Sequence, residues 1–139
     1  MTTTTVTDNR LDRLYTAVEQ GTPIDAGLFA PDVVFDATVP MWRYRTHGPA
    51  ATAAELGRWF ADPGHFEAFE TFALPDGALV EFVLTWDQHG VPHACHQTHR
   101  LEFDADGRIR RLTAFCGGRW PANLLADMAA AEQAAGAQQ

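Results

Sequence analysis

The chain has 139 residues, 46% of them hydrophobic and 20% charged, with a formal net charge of −8, which suits one soluble globular domain over 1–139. All 10 basic residues are arginines, scattered singly apart from Arg110-Arg111, so no basic stripe exists to neutralise nucleic-acid phosphates. No apolar run approaches the ~20 residues of a membrane span, and the start Met-Thr-Thr-Thr-Thr-Val lacks the basic and apolar regions of a secretion signal. A cytoplasmic protein without nucleic-acid or membrane partners is expected.

Residues 1–7 are expected to be disordered. Leu11, Leu14, Tyr15 and Val18 then recur at helical spacing behind Thr7 or Asp8 as cap, and Gly21-Thr-Pro ends that helix. Asp25 to Phe29 suits a short second helix. Val33 to Val39 reads as a strand stopped by Pro40, in which simple alternation buries Val33, Phe35, Ala37 and Val39 and turns Asp36 away. Met41-Trp-Arg-Tyr44 follows as a loop, and so many large side chains in a loop are expected to cover a pocket, with Trp42 placed to stack on a ligand. Pro49 opens a third helix with Leu56, Trp59 and Phe60 on one face, ended near Asp62-Pro-Gly64.

From His65 the pattern changes to strands. Phe66 to Leu74, Ala78 to Asp87, Val91 to Phe103 and Arg108 to Cys116 are separated by Pro-Asp-Gly77, His-Gly90 and Asp-Gly107, which predicts an antiparallel meander. The segment 121–139 is expected as a C-terminal helix, Pro121 to Ala135, and a tail. In the strand ending at Phe103, a period of two sends His99, Gln97 and Cys95 to the same face as Leu101 and Phe103, and sends Arg100, Thr98 and His96 to the other. That buries one titratable histidine. It reads either as a core residue satisfied by a hydrogen bond or as an acid–base group with a pKa near neutrality, oriented by Gln97.

The three histidines His93, His96 and His99 do not form a metal site on this geometry, because His96 faces opposite to the other two, which lie about 20 Å apart along the strand. The 2 cysteines lack a CxxC spacing, so both are expected as thiols, although a Cys95–Cys116 bridge stays geometrically open. Cys116 lies close enough to His99 on the neighbouring strand to be imagined as a nucleophile, with apolar lining the more frequent use.

Helix, short helix, strand, helix and four antiparallel strands, with Leu28-Phe-Ala-Pro-Asp-Val-Val34 and Asp106-Gly-Arg-Ile109, resemble the nuclear transport factor 2-like superfamily over nearly the whole chain, in particular its SnoaL-like polyketide cyclases and ketosteroid isomerase-like members. The resemblance implies an α+β fold in which helices close a cone-shaped, curved, mainly antiparallel sheet around a deep apolar pocket. It puts His99 at the position of the ketosteroid isomerases' oxyanion-stabilising aspartic acid, and Phe82, Leu84, Trp86, Leu112, Ala114 and Cys116 on pocket-lining positions. The isomerase tyrosine falls on Leu14, one residue from Tyr15, and the general-base aspartate on Ala37, one residue from Asp36, so Asp36 is catalytic only if a bulge shifts it.

The expected function is cofactor-independent acid–base chemistry on a hydrophobic cyclic or polyketide-like molecule. His99 and Asp36 are the catalytic candidates, and Tyr15, Trp42, Gln97 and the lining residues bind substrate. The alternative is a ligand-binding or assembly module without chemistry. A homodimer contact is expected on the opposite sheet face, where Thr113 and Phe115 lie beside Thr98 and Arg100.

Overall fold

The computed structural model describes residues 2–137, and the side chains of residues 9–136. Helix α1 spans Thr2–Gln20. Its backbone is already helical at Thr7 and Asp8, so neither is the cap; Met1 and the side chains of the expected disordered start lie outside the described residues. Leu11, Leu14, Tyr15 and Val18 are all buried, as their spacing predicts. Gly21 ends the helix at φ 66°, and a Cβ there would lie 2.5 Å from the Asp62 carbonyl carbon, so glycine is required both by conformation and by contact.

A short 3-10 helix, Ala26–Leu28, is capped by Asp25, whose Oδ1 accepts from the Gly27 amide at 2.8 Å. Strand β1 (Phe29–Val39) and β2 (Trp42–His47) follow, then α2 (Pro49–Trp59), β3 (Gly64–Leu74), β4 (Gly77–Gln88), β5 (Val91–Phe103), β6 (Ile109–Pro121) and α3 (Ala122–Ala137). The six strands form one sheet in the order β2-β1-β6-β5-β4-β3. Every neighbouring pair is antiparallel except β1 and β6, which run parallel.

The expected loop Met41 to Tyr44 is instead the turn and start of β2. Val39 pairs with Trp42 across a two-residue turn, and Met41 takes a positive φ of 67°. Met41 and Trp42 are 99% and 65% exposed, so they do not cover the interior.

One face of the sheet packs on α1 and α2. Its apolar residues, among them Phe35, Ala37, Phe82, Leu84, Leu101, Leu112 and Ala114, join Leu14, Val18 and Leu56 in a single buried cluster. On β1 the alternation holds through Val33, Phe35 and Ala37, while Val39 emerges half-buried at the strand end. Near its far end β6 bulges: Cys95 pairs with Arg119 and Gln97 with Cys116, so Gly117 and Gly118 together oppose a single residue of β5. Gly118 has φ 128°, and a Cβ on it would meet Trp120 Nε1 at 2.9 Å.

Candidate functional site

That bulge positions the site. Strict alternation would place Cys116 and Arg119, three residues apart, on opposite faces. The extra residue restores their common parity, so both join Cys95 and Gln97 on the helix side of the sheet. They meet α2 there. A cavity of about 370 Å³ opens between α2 and the sheet, lined by Tyr44 of β2, Glu55, Arg58 and Trp59 of α2, and Gln97, Cys116 and Arg119. Arg58, one of the lining residues, has a side chain 70% exposed to solvent.

The cavity wall is ordered by its own contacts. Glu55 accepts from Arg58 Nη2 at 2.7 Å and from Trp59 Nε1 at 3.0 Å. Arg119 donates to the Trp59 carbonyl at 3.1 Å and to Gln88 Oε1 at 3.0 Å, and its guanidinium lies 4.8 Å from the centre of the Trp86 ring. Trp59 meets Tyr44 edge-on at 5.7 Å.

Behind this wall runs a row of buried polar groups. The Tyr15 hydroxyl is 2.7 Å from His99 Nδ1, and His99 Nε2 is 2.7 Å from Gln97 Oε1. The Gln97 amide nitrogen in turn points at both sulfurs, 3.6 Å from Cys95 and 3.5 Å from Cys116. An amide oxygen only accepts, so Nε2 of His99 holds the proton and Nδ1 accepts from Tyr15. Every bond in the row then donates in one direction, from the core toward the sulfurs. Such chains polarise one another.

His99 is where parity predicts it, but its environment is not that of a free base. It is 1% exposed, both ring nitrogens are engaged, and burial pushes its pKa down to about 3. This departs from the titration expected near neutrality, because the ring's two partners, a phenol and an amide, carry no charge to offset an imidazolium. Burial likewise raises the Tyr15 phenol well above its ordinary range. Cys116 moves the other way: the hydrogen bond from Cys95 first, then Gly118, Gln97 and the Arg119 charge, outweigh its burial and hold it down to about 6, while the Cys95 thiol is driven up.

The other predicted residues separate into two sets. Gln97 and Cys116 line the cavity. Phe82, Leu112 and Ala114 are packed within the core cluster, and Leu84 and Trp86 border a crevice of only about 10 Å³ beside Cys95. Tyr15, edge-on to Phe82 at 6.0 Å, does not line the cavity and borders a separate opening beside Phe66 and Phe69. Trp42 is exposed on the edge strand, away from the cavity lining.

Asp36 is turned to the opposite sheet face. There its carboxylate accepts from Arg43 Nε and Nη2 at 2.9 and 2.7 Å and lies 3.6 Å from Arg45. The bond from Arg43 holds its pKa below the ordinary range, and nothing links it to His99. Among the described residues no three His, Cys, Asp or Glu side chains gather as metal ligands.

Sequence reasoning missed Glu55, Arg58 and Arg119, and reached Tyr44 only as the end of the segment expected to cover a pocket. The only signal for Arg119 was Gly117-Gly118, since paired glycines inside a strand mark a bulge that resets parity.

Comparison with known proteins places this arrangement in context. A family model described as a SnoaL-like domain matches residues 11–112. None of the curated protein sequences matches. Among solved structures, an NTF2-like protein from Anabaena variabilis ATCC 29413 superposes with a TM-score of 0.70 at 11% identity, covering 84% of this chain and 90% of that one. A steroid delta-isomerase from Pseudomonas aeruginosa gives 0.57 at 20% identity, over 81% and 80%. An epoxide hydrolase/cyclase-like enzyme with a role in pyran ring formation in the polyether salinomycin gives 0.59 at 10% identity, over 80% and 90%. At these identities the likeness is one of fold, α+β and NTF2-like.

Proposed function

The chain belongs to the SnoaL-like domain family, and from that premise we propose that it is a cofactor-independent enzyme of the isomerase, cyclase or lyase kind, acting by acid–base chemistry on a hydrophobic cyclic or polyketide-like molecule. The isomerase and the cyclase-like enzyme among its structural neighbours support that class. One observation carries the reading: the donor row Tyr15–His99–Gln97 ends at the wall of an open cavity. A substrate carbonyl that displaces the weak sulfur contacts receives the Gln97 amide hydrogen. Charge that develops on its oxygen is then met by a donor already aligned and already polarised.

In this mechanism His99 is a positioning residue. It stays neutral and fixes the amide, and the proton is moved by a group that faces the cavity. The substrate has an apolar body against Trp59 and Tyr44 and a polar or anionic end toward Arg58 and Arg119.

Turnover of a panel of cyclic ketones and polyketide-like substrates tests this. Gln97→Leu should lower kcat by about 10²–10³ with little change in KM, the cost of one oxyanion donor. An unchanged kcat overturns the assignment.

A second reading, a ligand-binding module without chemistry, is favoured by the same sealing of His99. It prevails if uncharged cyclic ligands bind in the cavity and none is converted.

The reading includes a homodimer through the opposite sheet face, where Phe115 and Phe72 are 55% and 43% exposed. Light scattering at micromolar concentration should exceed the 15.3 kDa of one chain; a monomer removes this part.

A further inference from the structure

Two thiols sit at the inner end of the cavity, and acid–base chemistry at a carbonyl does not require them. Cys116 lines the cavity, while Cys95 is buried beside it. The Gln97 side chain, 4% exposed, spends its amide nitrogen on these two sulfurs alone. A buried amide whose oxygen is already fixed by His99 has no freedom to turn away, so the sulfur at the cavity wall faces a donor in every rotamer the row permits. Arg119 adds its positive charge from the same strand. Thiolates are stabilised by such surroundings.

We propose that Cys116 is a nucleophile that adds reversibly to the β-carbon of an α,β-unsaturated carbonyl compound bound in the cavity, the carbonyl lying toward Arg119. This deepens the small-molecule reading above and rests on it. The sulfur lone pair forms the S–C bond, and the π pair of the double bond moves onto the carbonyl oxygen. The enolate takes a proton at its α-carbon from water, replacing the one the thiol released, so the sum is addition of S–H across the double bond with no oxidant or reductant. Expulsion of the thiolate from the enolate, after rotation about what was the double bond, returns the other geometric isomer. The Gln97 amide nitrogen carries two hydrogens, so one can stay on the sulfur while the other meets the substrate oxygen; His99, which fixes that amide, is a positioning residue.

The groups around Cys116 that bear on its ionisation are Cys95 on β5, Arg119 on β6, Tyr44 on β2, and Glu55 and Arg58 on α2. With ionisation favoured by the Gln97 amide at 3.5 Å and by Arg119, Cys116 at pH 6 should react several-fold faster than an ordinary thiol, the gain in thiolate fraction exceeding the loss of intrinsic nucleophilicity.

The test incubates the full chain with 2-cyclohexenone across pH 5–9 and follows intact mass, with peptide mapping of the adduct. The expected result is one adduct on Cys116, absent in Cys116→Ser, with a rate midpoint that moves to higher pH in Gln97→Leu and further in Cys95→Ala. Saturated cyclohexanone, which cannot be attacked at a β-carbon, should slow the reaction by occupying the cavity. Modification of Cys95 in preference, a rate at pH 6 no faster than glutathione's, or a midpoint unmoved by both variants overturns the proposal. Protection by cyclohexanone without any adduct defeats the nucleophile and leaves the cavity reading standing; an adduct that cyclohexanone does not slow, with no binding of either ketone, defeats the cavity reading itself.

Discussion

The row of hydrogen bonds that links Tyr15 to Cys116 passes through two environments. At its inner end Tyr15 and His99 are enclosed by Phe82, Phe69 and the strand cores, and both are held in their neutral forms. At its outer end Gln97 and Cys116 face a cavity with two arginines, where the anionic form of a thiol is favoured. Identical rules act on both. Where burial is complete and no opposite charge is near, the uncharged state wins; where a donor and a guanidinium approach a half-buried group, ionisation wins. The inner end therefore contributes alignment and the outer end contributes reactivity, so a histidine on a buried strand face is a poor guide to where protons move.

The largest expected effect tests whether the interior is packing or binding surface. Leu112 is fully buried in the core cluster, so Leu112→Ala should cost ~2–5 kcal/mol in denaturant unfolding while ligand affinity stays unchanged. A near-neutral stability effect with a large loss of affinity would show that the inner end is the binding pocket after all.

The next sharpens the neutrality of His99. Its folded pKa is about 3 against ~6.5 in the unfolded chain, so between these values the unfolded state binds the extra proton and stability falls as pH falls. Between pH 7 and pH 5 that amounts to about 2 kcal/mol. Denaturant midpoints of the wild type and His99→Gln should diverge by this much over the interval, and parallel curves would mean that His99 is not sealed.

A smaller effect is expected at the bulge. Gly118→Ala places a side chain at φ 128° and against Trp120, at a cost of ~1–3 kcal/mol. Because the bulge sets where Arg119 points, calorimetry should find that a carboxylate ligand loses more affinity than its uncharged analogue; equal losses would separate Arg119 from recognition. The smallest is Trp42→Ala, expected within ±0.5 kcal/mol in stability and without effect on binding, since Trp42 is 65% exposed.

Much of this was legible in the sequence and the remainder had physical reasons to be hidden. The spacing of Leu11 to Val18, the glycines at the hairpin turns and the parity of Gln97, His99 and Leu101 specify α1, the meander and the inward row without tertiary information. Strand β2 escaped because its turn uses Met41 at a positive φ, where glycine or asparagine is the usual signal. The cavity escaped because it arises from a register shift in β6 and the approach of α2, neither of which a local period encodes. Burial of Asp36 among arginines on the other face was half legible: alternation turned it outward, but its partner Arg43 sat in the segment read as a loop and Arg45 just beyond it.

Strand β2 closes one end of the sheet, and among the described residues its outer rim is bonded to no other strand. A free rim beside Met41 and Trp42, both well exposed, is a template on which another chain can continue the sheet. Arg43 and Arg45 stand along it as a fence of like charge, with Asp36 behind them neutralising only in part. Solubility of this protein thus has an ionic component: salt that shortens the reach of those charges also lowers the barrier to edge-on fibrillar growth.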